Sequence, residues 1–383
     1  MSCVSGTNSV NDGLVFHFDL ENSAKSWKGK PTTNLIETNL LNYAKDNGCT
    51  VEATGEYYQG MPTYRVTFNY GTLPRIRTNF SYTNGGTYTG SIYYRVVSQG
   101  SHTPKLYFRE INFGASYAEV TLSSTSWTRA KITHTFTTAS STAMFLLYQA
   151  TSSSTSDTVI EFAMPQTEVS DIATKFVNGV RLNTASIIDV SPTKSTITAA
   201  NLTYRQDDTP TFDGTNDYFT LQDQAIPIYD SSYTIEAWIK RSVTGANHGI
   251  IGDLQYDWFG LRITSANKVY IIQRQSNPEI NSLTGTSNIG TDWTHVTVVF
   301  NITSGMSIYV NGNLDATNTN LYYFGLTTNN RGPKYIGRND SSSFGSSTYY
   351  FNGEISNLVG YTRALTAQEV KQNFEAKRTM YDI

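Results

Sequence analysis

Short runs in which apolar and polar residues alternate recur along most of the chain, separated by Gly, Asn, Ser and Thr. Gly13–Leu20 (GLVFHFDL) places Leu14, Phe16 and Phe18 on one face and Val15 and His17 on the other, the period of a half-buried strand. The same alternation predicts strands at Tyr64–Tyr70, Gly90–Val97, Lys105–Phe108, Tyr117–Leu122, Ala130–Phe136, Ala143–Tyr148 and Thr158–Pro165. It returns in TIEAWIK (234–240), GIIGD (249–253), FGLRI (259–263), KVYIIQ (268–273), WTHVTVVFN (293–301), MSIYVNGNLDA (306–316) and KYIGRND (334–340). Asn311-Gly312 between two alternating runs predicts a two-residue hairpin with a type I′ turn. Glu354–Tyr361 predicts one more strand, with Ile355, Leu358 and Val359 as its apolar content. Thr366 and Glu369 then have capping-box spacing, and Leu365 and Val370 occupy the hydrophobic-staple positions around the same cap. Val370 and Phe374 follow at helical spacing, so a single short helix is expected after the last strand.

Composition narrows the class. Charged residues are 15% of 383, and Ser, Thr, Asn, Gly and 26 Tyr carry the polarity instead, a mixture that favours strands and turns. This length exceeds one ordinary sandwich and suits two domains with separate cores. Lys and Arg total 28 against 31 Asp and Glu, a formal net charge of -3. That balance gives no electrostatic reason to expect nucleic acid or an anionic membrane as a partner. No apolar run approaches the roughly 20 residues of a membrane span. Residues 1–12 are polar and lack the basic and apolar regions of a signal peptide; they read as a flexible arm. Cys3 and Cys49 make neither a disulfide framework nor a metal spacing and read as free thiols.

Two sets of motifs carry resemblances. GLVFHFD (13–19), FDGTNDY (212–218) and the seven runs from 234 to 340 resemble, in order, successive strands of laminin-G-like domains. These are the concanavalin-A-like jelly rolls of extracellular modules and tailed-phage structural proteins. FNGEI (351–355) and YTRALTAQEV (361–370) resemble that family's closing segment. In the family F-D-G-x-x-D-Y follows soon after the opening strand; here it waits until Phe212–Tyr218. Within the gap, SIYYRVV (91–97), SWTRAKITHTFTT (126–138) and VIEFAMPQTEVSDIATKFVNG (159–179) resemble the carbohydrate-binding jelly rolls of glycanases and phage tail proteins. The resemblances imply an all-β chain of two β-sandwich (jelly-roll) domains, one inserted into the other, with a short C-terminal helix. The laminin-G-like sandwich would be discontinuous, over 13–29 and 180–383, with its opening strand paired to Glu354–Tyr361. The insert would span 30–179, and insertions of this kind are tolerated where the insert's ends lie close together.

Catalysis finds little footing. Glycosidases of the laminarinase type share the outer fold and need two facing carboxylates, written E-x-D-x-x-E in that family. Glu236 in TIEAWIK has no acidic residue two positions on and reads as a solvated or hydrogen-bonded glutamate. His17, His102, His134, His248 and His295 fall in no H-E-x-x-H, and no G-x-S-x-G occurs. Sugar binding would need exposed aromatic platforms beside polar groups. The candidates are Tyr256 and Trp258 in DLQYDWFG and Tyr322 and Tyr323 in LYYFG, with Tyr57, Tyr58 and Tyr82 in the insert. No cofactor is required. Calcium would find oxygen ligands in the loops carrying Asp213, Asp217, Asp253 and Asp340, as many laminin-G-like domains bind one calcium at the sandwich rim.

The reading that joins these signals is a non-enzymatic structural protein of a tailed-phage virion, a surface decoration or fibre component with weak glycan adhesion. Its partners would be other capsid or tail proteins, host surface polysaccharide and further copies of itself. It would be made in the host cytoplasm and reside on the virion surface. The rival readings are a glycan-cleaving depolymerase, which requires a carboxylate pair, and a cellular lectin or adhesin, which requires a signal or anchor.

Overall fold

The computed structural model describes residues 9–20, 25–46, 48–70, 73–111, 117–137, 141–148, 155–222, 225–226, 228, 232–253, 259–274, 280–319, 335–341 and 347–383. The chain divides into two compact units: residues 1–30, 183–205 and 209–383 form one, and residues 31–182 with 206–208 form the other. The return point thus lies three residues after the 179/180 boundary read from the sequence. The reason is pairing: Val180 and Arg181 bond antiparallel to Thr33 and Thr32, and both belong to the second unit. In the first unit Trp27 bridges Ile187, so the segments that leave it and re-enter it lie side by side.

The first unit is built on two antiparallel sheets. One runs Thr203–Tyr204, Pro210–Asp213, Asn352–Tyr361, Tyr233–Arg241, Thr294–Asn301, Gly305–Val310 and Asn313–Asn318, with Leu14–Asp19 also paired to Asn352–Tyr361. The other runs Ile197–Ala200, Tyr218–Leu221, Tyr335–Ile336, His248–Gly252, Phe259–Ile263, Val269–Arg274 and Ile280–Thr284. Alternate residues of each, such as Ile235, Ala237 and Ile239 on one and Leu261 and Ile263 on the other, meet in one core. Asn311 and Gly312 both have positive φ, 50° and 72°, as a type I′ turn requires.

Two bulges explain apolar spacings that a regular strand cannot satisfy. Ile355 and Leu358 are three apart, yet both enter the core, because the register slips between Trp238 and Ile239 opposite them. Val359 then faces the other way, beneath the C-terminal helix. The opening strand slips between Leu14 and Phe16. Phe16 and Phe18 enter the core, whereas Leu14 packs on the opposite face with Val359 and Tyr361. The sequence expectation of Leu14, Phe16 and Phe18 on one face is corrected accordingly, since one extra residue in a strand flips every side chain before it.

The single α-helix among the described residues, Ala367–Lys377, starts on a complete capping box: the Glu369 amide donates to the Thr366 hydroxyl and Glu369 accepts from the Thr366 amide. Arg363 grips the same carboxylate through two bonds of 2.6 and 3.0 Å. That fork drives the Glu369 pKa down to about 2, with the Thr366 bonds adding to it. Val370 and Leu365 pack together under the helix.

The amino-terminal segment also differs from expectation where it is described. Val10 donates its N–H to Asn373 at 2.8 Å and accepts from the Tyr361 hydroxyl at 3.1 Å, and Arg363 pairs with Asp12. Residues 9–12 are therefore fixed to the sandwich by polar bonds and the apolar contact of Val10, too little to make a hydrophobic pattern, which is why they read as arm.

In the second unit one sheet runs Thr128–Thr135, Thr87–Ser98, Thr158–Val169, Met61–Phe68 and Cys49–Tyr58. The other runs Ala44–Asp46, Arg75–Ser81, Thr142–Tyr148, Lys105–Glu110 and Tyr117–Thr121. Their shared core holds Val66, Phe68, Ile92, Phe108, Phe145, Ile160 and Phe162. Cys49 belongs to this core as a free thiol, and burial pushes its pKa up to about 12; Cys3 lies outside the described residues.

Candidate functional site

The outward face of the Cys49–Tyr58 sheet gathers charge in one line. Glu52 lies opposite Arg65, Arg65 opposite Glu161, and Glu161 opposite Arg95. Thr128 pairs with Tyr94, which puts Trp127 beside Arg95 at the end of this row. Each of Arg65, Arg95 and Glu161 is flanked by apolar core residues, so the pleat turns all three outward. Glu161 sits at the centre with its side chain 2% exposed. It accepts from Arg65 Nη2 at 2.8 Å and from Arg95 Nε at 2.7 Å. Burial pulls its pKa upward, but the bonds and charges of the two arginines prevail and hold it below the ordinary glutamate value.

Aromatic rings close one end of the row. Tyr58 stacks on Trp127 with ring centres 4.4 Å apart and planes 15° from parallel, and it leans on Tyr93 at 5.4 Å. The Arg95 guanidinium lies over Trp127 at 5.3 Å and that of Arg129 over Tyr93 at 5.5 Å. Among the described residues, Arg65 Nε and Arg129 Nε are buried without a hydrogen-bond partner. The face therefore combines stacked aromatics, fixed guanidinium donors and unfilled N–H groups, the elements that recognise a polar ring molecule.

The first unit holds a second constellation, on the covered face of its Tyr233–Arg241 sheet. A cavity with about 30 Å3 of room for water is lined by His17, Glu236, Trp238, His295, Asn373 and Lys377, among others, and walled by Ser9–Asn11. That is space for one or two waters. Asn373 donates to both Glu236 oxygens at 3.1 and 3.0 Å and to the Tyr361 hydroxyl at 3.0 Å. Burial pushes Glu236 up to about 8, against the Asn373 bond and Lys377. Burial, reinforced by Lys377, lowers His295 to about 3 and His17 to about 4. At neutral pH Glu236 therefore keeps its proton and both imidazoles are uncharged. Lys377 pairs with Asp19 at 2.9 Å. Glu236 is the single carboxyl among the described lining residues, so the paired carboxylates of glycoside hydrolysis do not meet there.

The sequence candidates fall unevenly. Tyr256, Trp258, Tyr322 and Tyr323 lie outside the described residues. Tyr82 is a core residue stacked on Phe136 at 4.5 Å, not a platform; Tyr57 is 73% exposed. Asp217 is buried and accepts the amides of Asp213 and Thr203, while Asp213 Oδ1 accepts from Thr215 and Asn216. Asp340 forks onto Arg338, and its amide donates to the Asp253 carbonyl. Among the described residues no three His, Cys, Asp or Glu gather as a metal group. The carboxylates of Asp213 and Asp217 thus hold turns and that of Asp340 an arginine. Sequence reasoning missed the charged row, although each of its three central strands shows one charge between apolar neighbours: Tyr64-Arg65-Val66, Tyr94-Arg95-Val96 and Ile160-Glu161-Phe162.

Residues 212–371 match a laminin G family model described as the concanavalin A-like lectin/glucanases superfamily. No curated protein matches the chain. Similar solved structures include that of a study on ganglioside-dependent cell entry of botulinum neurotoxin type C (16% identity, 51% of this chain and 50% of that one, TM-score 0.38). Others are the binding domain of botulinum neurotoxin serotype D (16%, 51% and 51%, 0.38) and the binding domain of botulinum neurotoxin DC in complex with SialylT (15%, 51% and 49%, 0.38). The chain spans about half the length of each. No described helix is long and apolar enough to cross a membrane. Residues 212–371 carry the concanavalin A-like lectin fold, and the described residues form β-sandwich sheets with one short α-helix.

Proposed function

We propose that the chain is a non-enzymatic adhesion protein that binds glycan through the outward face of its second unit. The observation that carries this reading is the row Glu52–Arg65–Glu161–Arg95 ending on Trp127. Glu161 locks both guanidinium groups in place, and preorganised donors beside an aromatic ring suit sugar hydroxyls and a sugar face. The finer reading, drawn from the sequence resemblances, is a surface component of a tailed-phage virion. It would seat on other capsid or tail proteins and touch host polysaccharide.

A depolymerase is less well supported by the described residues. Glu161 is held ionised by two arginines and cannot serve as a general acid, and the Glu236 cavity has one carboxyl. The test is binding of the intact protein to purified host surface polysaccharide by calorimetry. Arg95→Ala and Trp127→Ala are expected to weaken binding by roughly tenfold each while the melting temperature stays nearly constant. Equal binding by all three proteins would sink the reading, and shortening of the polysaccharide chains would replace it with the depolymerase.

A further inference from the structure

The ring that closes the charged row is not part of the sheet face beneath it. Tyr58 belongs to Cys49–Tyr58, an edge strand, whereas Trp127 precedes Thr128–Thr135 at the opposite edge. For the two rings to stack, the tip of the Cys49–Tyr58/Met61–Phe68 hairpin must reach over the intervening strands. The hairpin has the parts for this. Its ladder is interrupted between Ala53 and Tyr57, and Gly55 sits in the gap at φ +77° with open space where a side chain would be. Beyond the gap the strands rejoin at Tyr57–Pro62 and Tyr58–Met61 around a two-residue turn, Gln59-Gly60, with φ of 50° and 80°. Tyr57 at the tip is largely in water. The tip meets the face below it through the Tyr58 ring and one long pair, Glu56 to Arg95 at 3.5 Å.

We infer that this tip is a flap hinged at Gly55 and latched by Tyr58, and that Tyr58 occupies the stacking place on Trp127 which a sugar ring takes when the flap lifts. The inference rests on the glycan reading above and adds the ring-for-ring exchange. Three observations converge on it: a break in the ladder below the tip, a turn and an exposed tyrosine above it, and a near-parallel aromatic pair joining opposite edges of one sheet. A bound pyranose replaces like with like, since Tyr and a sugar ring both offer Trp a flat apolar face. Closed, the flap shields Trp127 from water and from loose partners. Open, it leaves Arg95 fixed by Glu161 at the edge of the vacated place.

The test uses the intact chain in two measurements. Hydrogen exchange by mass spectrometry compares a peptide over residues 56–61 with one inside Thr158–Val169. The flap predicts exchange at least a hundredfold faster in the tip, by local opening. Equal protection in the two peptides overturns the flap whatever the chain binds. Binding to soluble laminarin, dextran and host surface polysaccharide is then compared for wild type, Tyr58→Ala and Trp127→Ala. Removal of the latch is expected to tighten binding roughly five- to tenfold, because the ligand no longer displaces a stacked ring, while Trp127→Ala weakens it roughly tenfold. Weaker binding by Tyr58→Ala at unchanged melting temperature would make Tyr58 part of the platform and overturn the exchange. A fast-exchanging tip with no binding to any probe by any of the proteins would reject the glycan reading and, with it, the ring exchange, while leaving the hinge.

Discussion

Glu161 and Glu236 occupy interior strands of two different sheets, each with its side chain nearly out of water, 2% and 4% exposed. Their protonation is opposite. Glu161 faces two guanidinium groups and stays ionised; Glu236 faces an amide and neutral imidazoles and keeps its proton up to about pH 8. Burial is common to both, so burial does not decide the charge state. The neighbours do, and they differ because one sheet face is open to water and the other is roofed by a helix and residues 9–12. Arginine heads can stay partly solvated on the open face. Under the roof a full charge would lose its hydration without a matching partner.

The roof itself is the most sensitive part of the comparison. Trp238 is 1% exposed and stacks on Phe374 at 5.7 Å and Tyr381 at 4.1 Å. Trp238→Ala should cost about 3–5 kcal/mol in urea unfolding and bring Glu236 back toward its ordinary titration range, read by carboxyl-selective NMR. A raised pKa that survives loss of the tryptophan would break the link between roof and proton.

The next largest effect is a pair of opposite signs. Glu161→Gln should destabilise by about 2 kcal/mol at pH 7, since it leaves two arginines facing a neutral amide. The depressed pKa means this stabilisation is present above the unfolded value near 4.5 and lost as pH falls through the folded one. Glu236→Gln should do the reverse. The raised pKa costs the wild type stability as pH climbs from 4.5 to about 8, so the variant gains on it over that range, by on the order of 4 kcal/mol at pH 8. His17 and His295, held at about 4 and 3, impose an opposite slope. Their stabilisation is present above the unfolded value near 6.5 and fades as pH falls. Urea midpoints between pH 3 and 9 separate these contributions; Gln variants that shift in the same direction at pH 8 would refute the contrast.

The smallest effect lies at the rim of the roof. Thr366→Ala removes the helix cap and should cost about 1 kcal/mol, with the first helical turn exchanging its amides faster while the Arg95–Glu161 row is unaffected. A matching loss of protection in Thr158–Val169 would show that the two faces are not independent.

What the sequence made legible follows from this contrast. Strands whose faces divide into core and water, such as Met61–Phe68 and Thr128–Thr135, announce themselves by alternation, and the cap at Thr366 by residue type alone. Cys49–Tyr58 escaped because as an edge strand it buries little: Glu52, Ala53, Gly55, Glu56 and Tyr57 point to water, breaking the alternation. The charged row escaped for a different reason. It is a property of register, and Arg65, Arg95 and Glu161 become neighbours only after three distant strands pair. The Glu236 cavity likewise needs His17, Asn373 and Lys377 from the two ends of the chain. Bulges hid the phase of Leu14 and Leu358, since one extra residue inverts a pattern that reading by twos assumes unbroken.

The pairing of Leu14–Asp19 with Asn352–Tyr361 has a consequence for the time course of synthesis. The first strand of the outer sandwich leaves the ribosome long before its partner exists. At roughly 5–20 residues per second the wait is on the order of twenty seconds to a minute. Throughout it, Phe16 and Phe18 have no sheet to join. The inserted unit, whose ends meet at Thr32–Thr33 and Val180–Arg181, is complete well before that. Once folded, it shortens the loop that the outer sandwich must close, but the entropy regained is only about half a kcal/mol. The insertion is therefore nearly free at equilibrium and expensive in time: the nascent chain carries an unpaired aromatic strand behind a finished domain until its last strand is made.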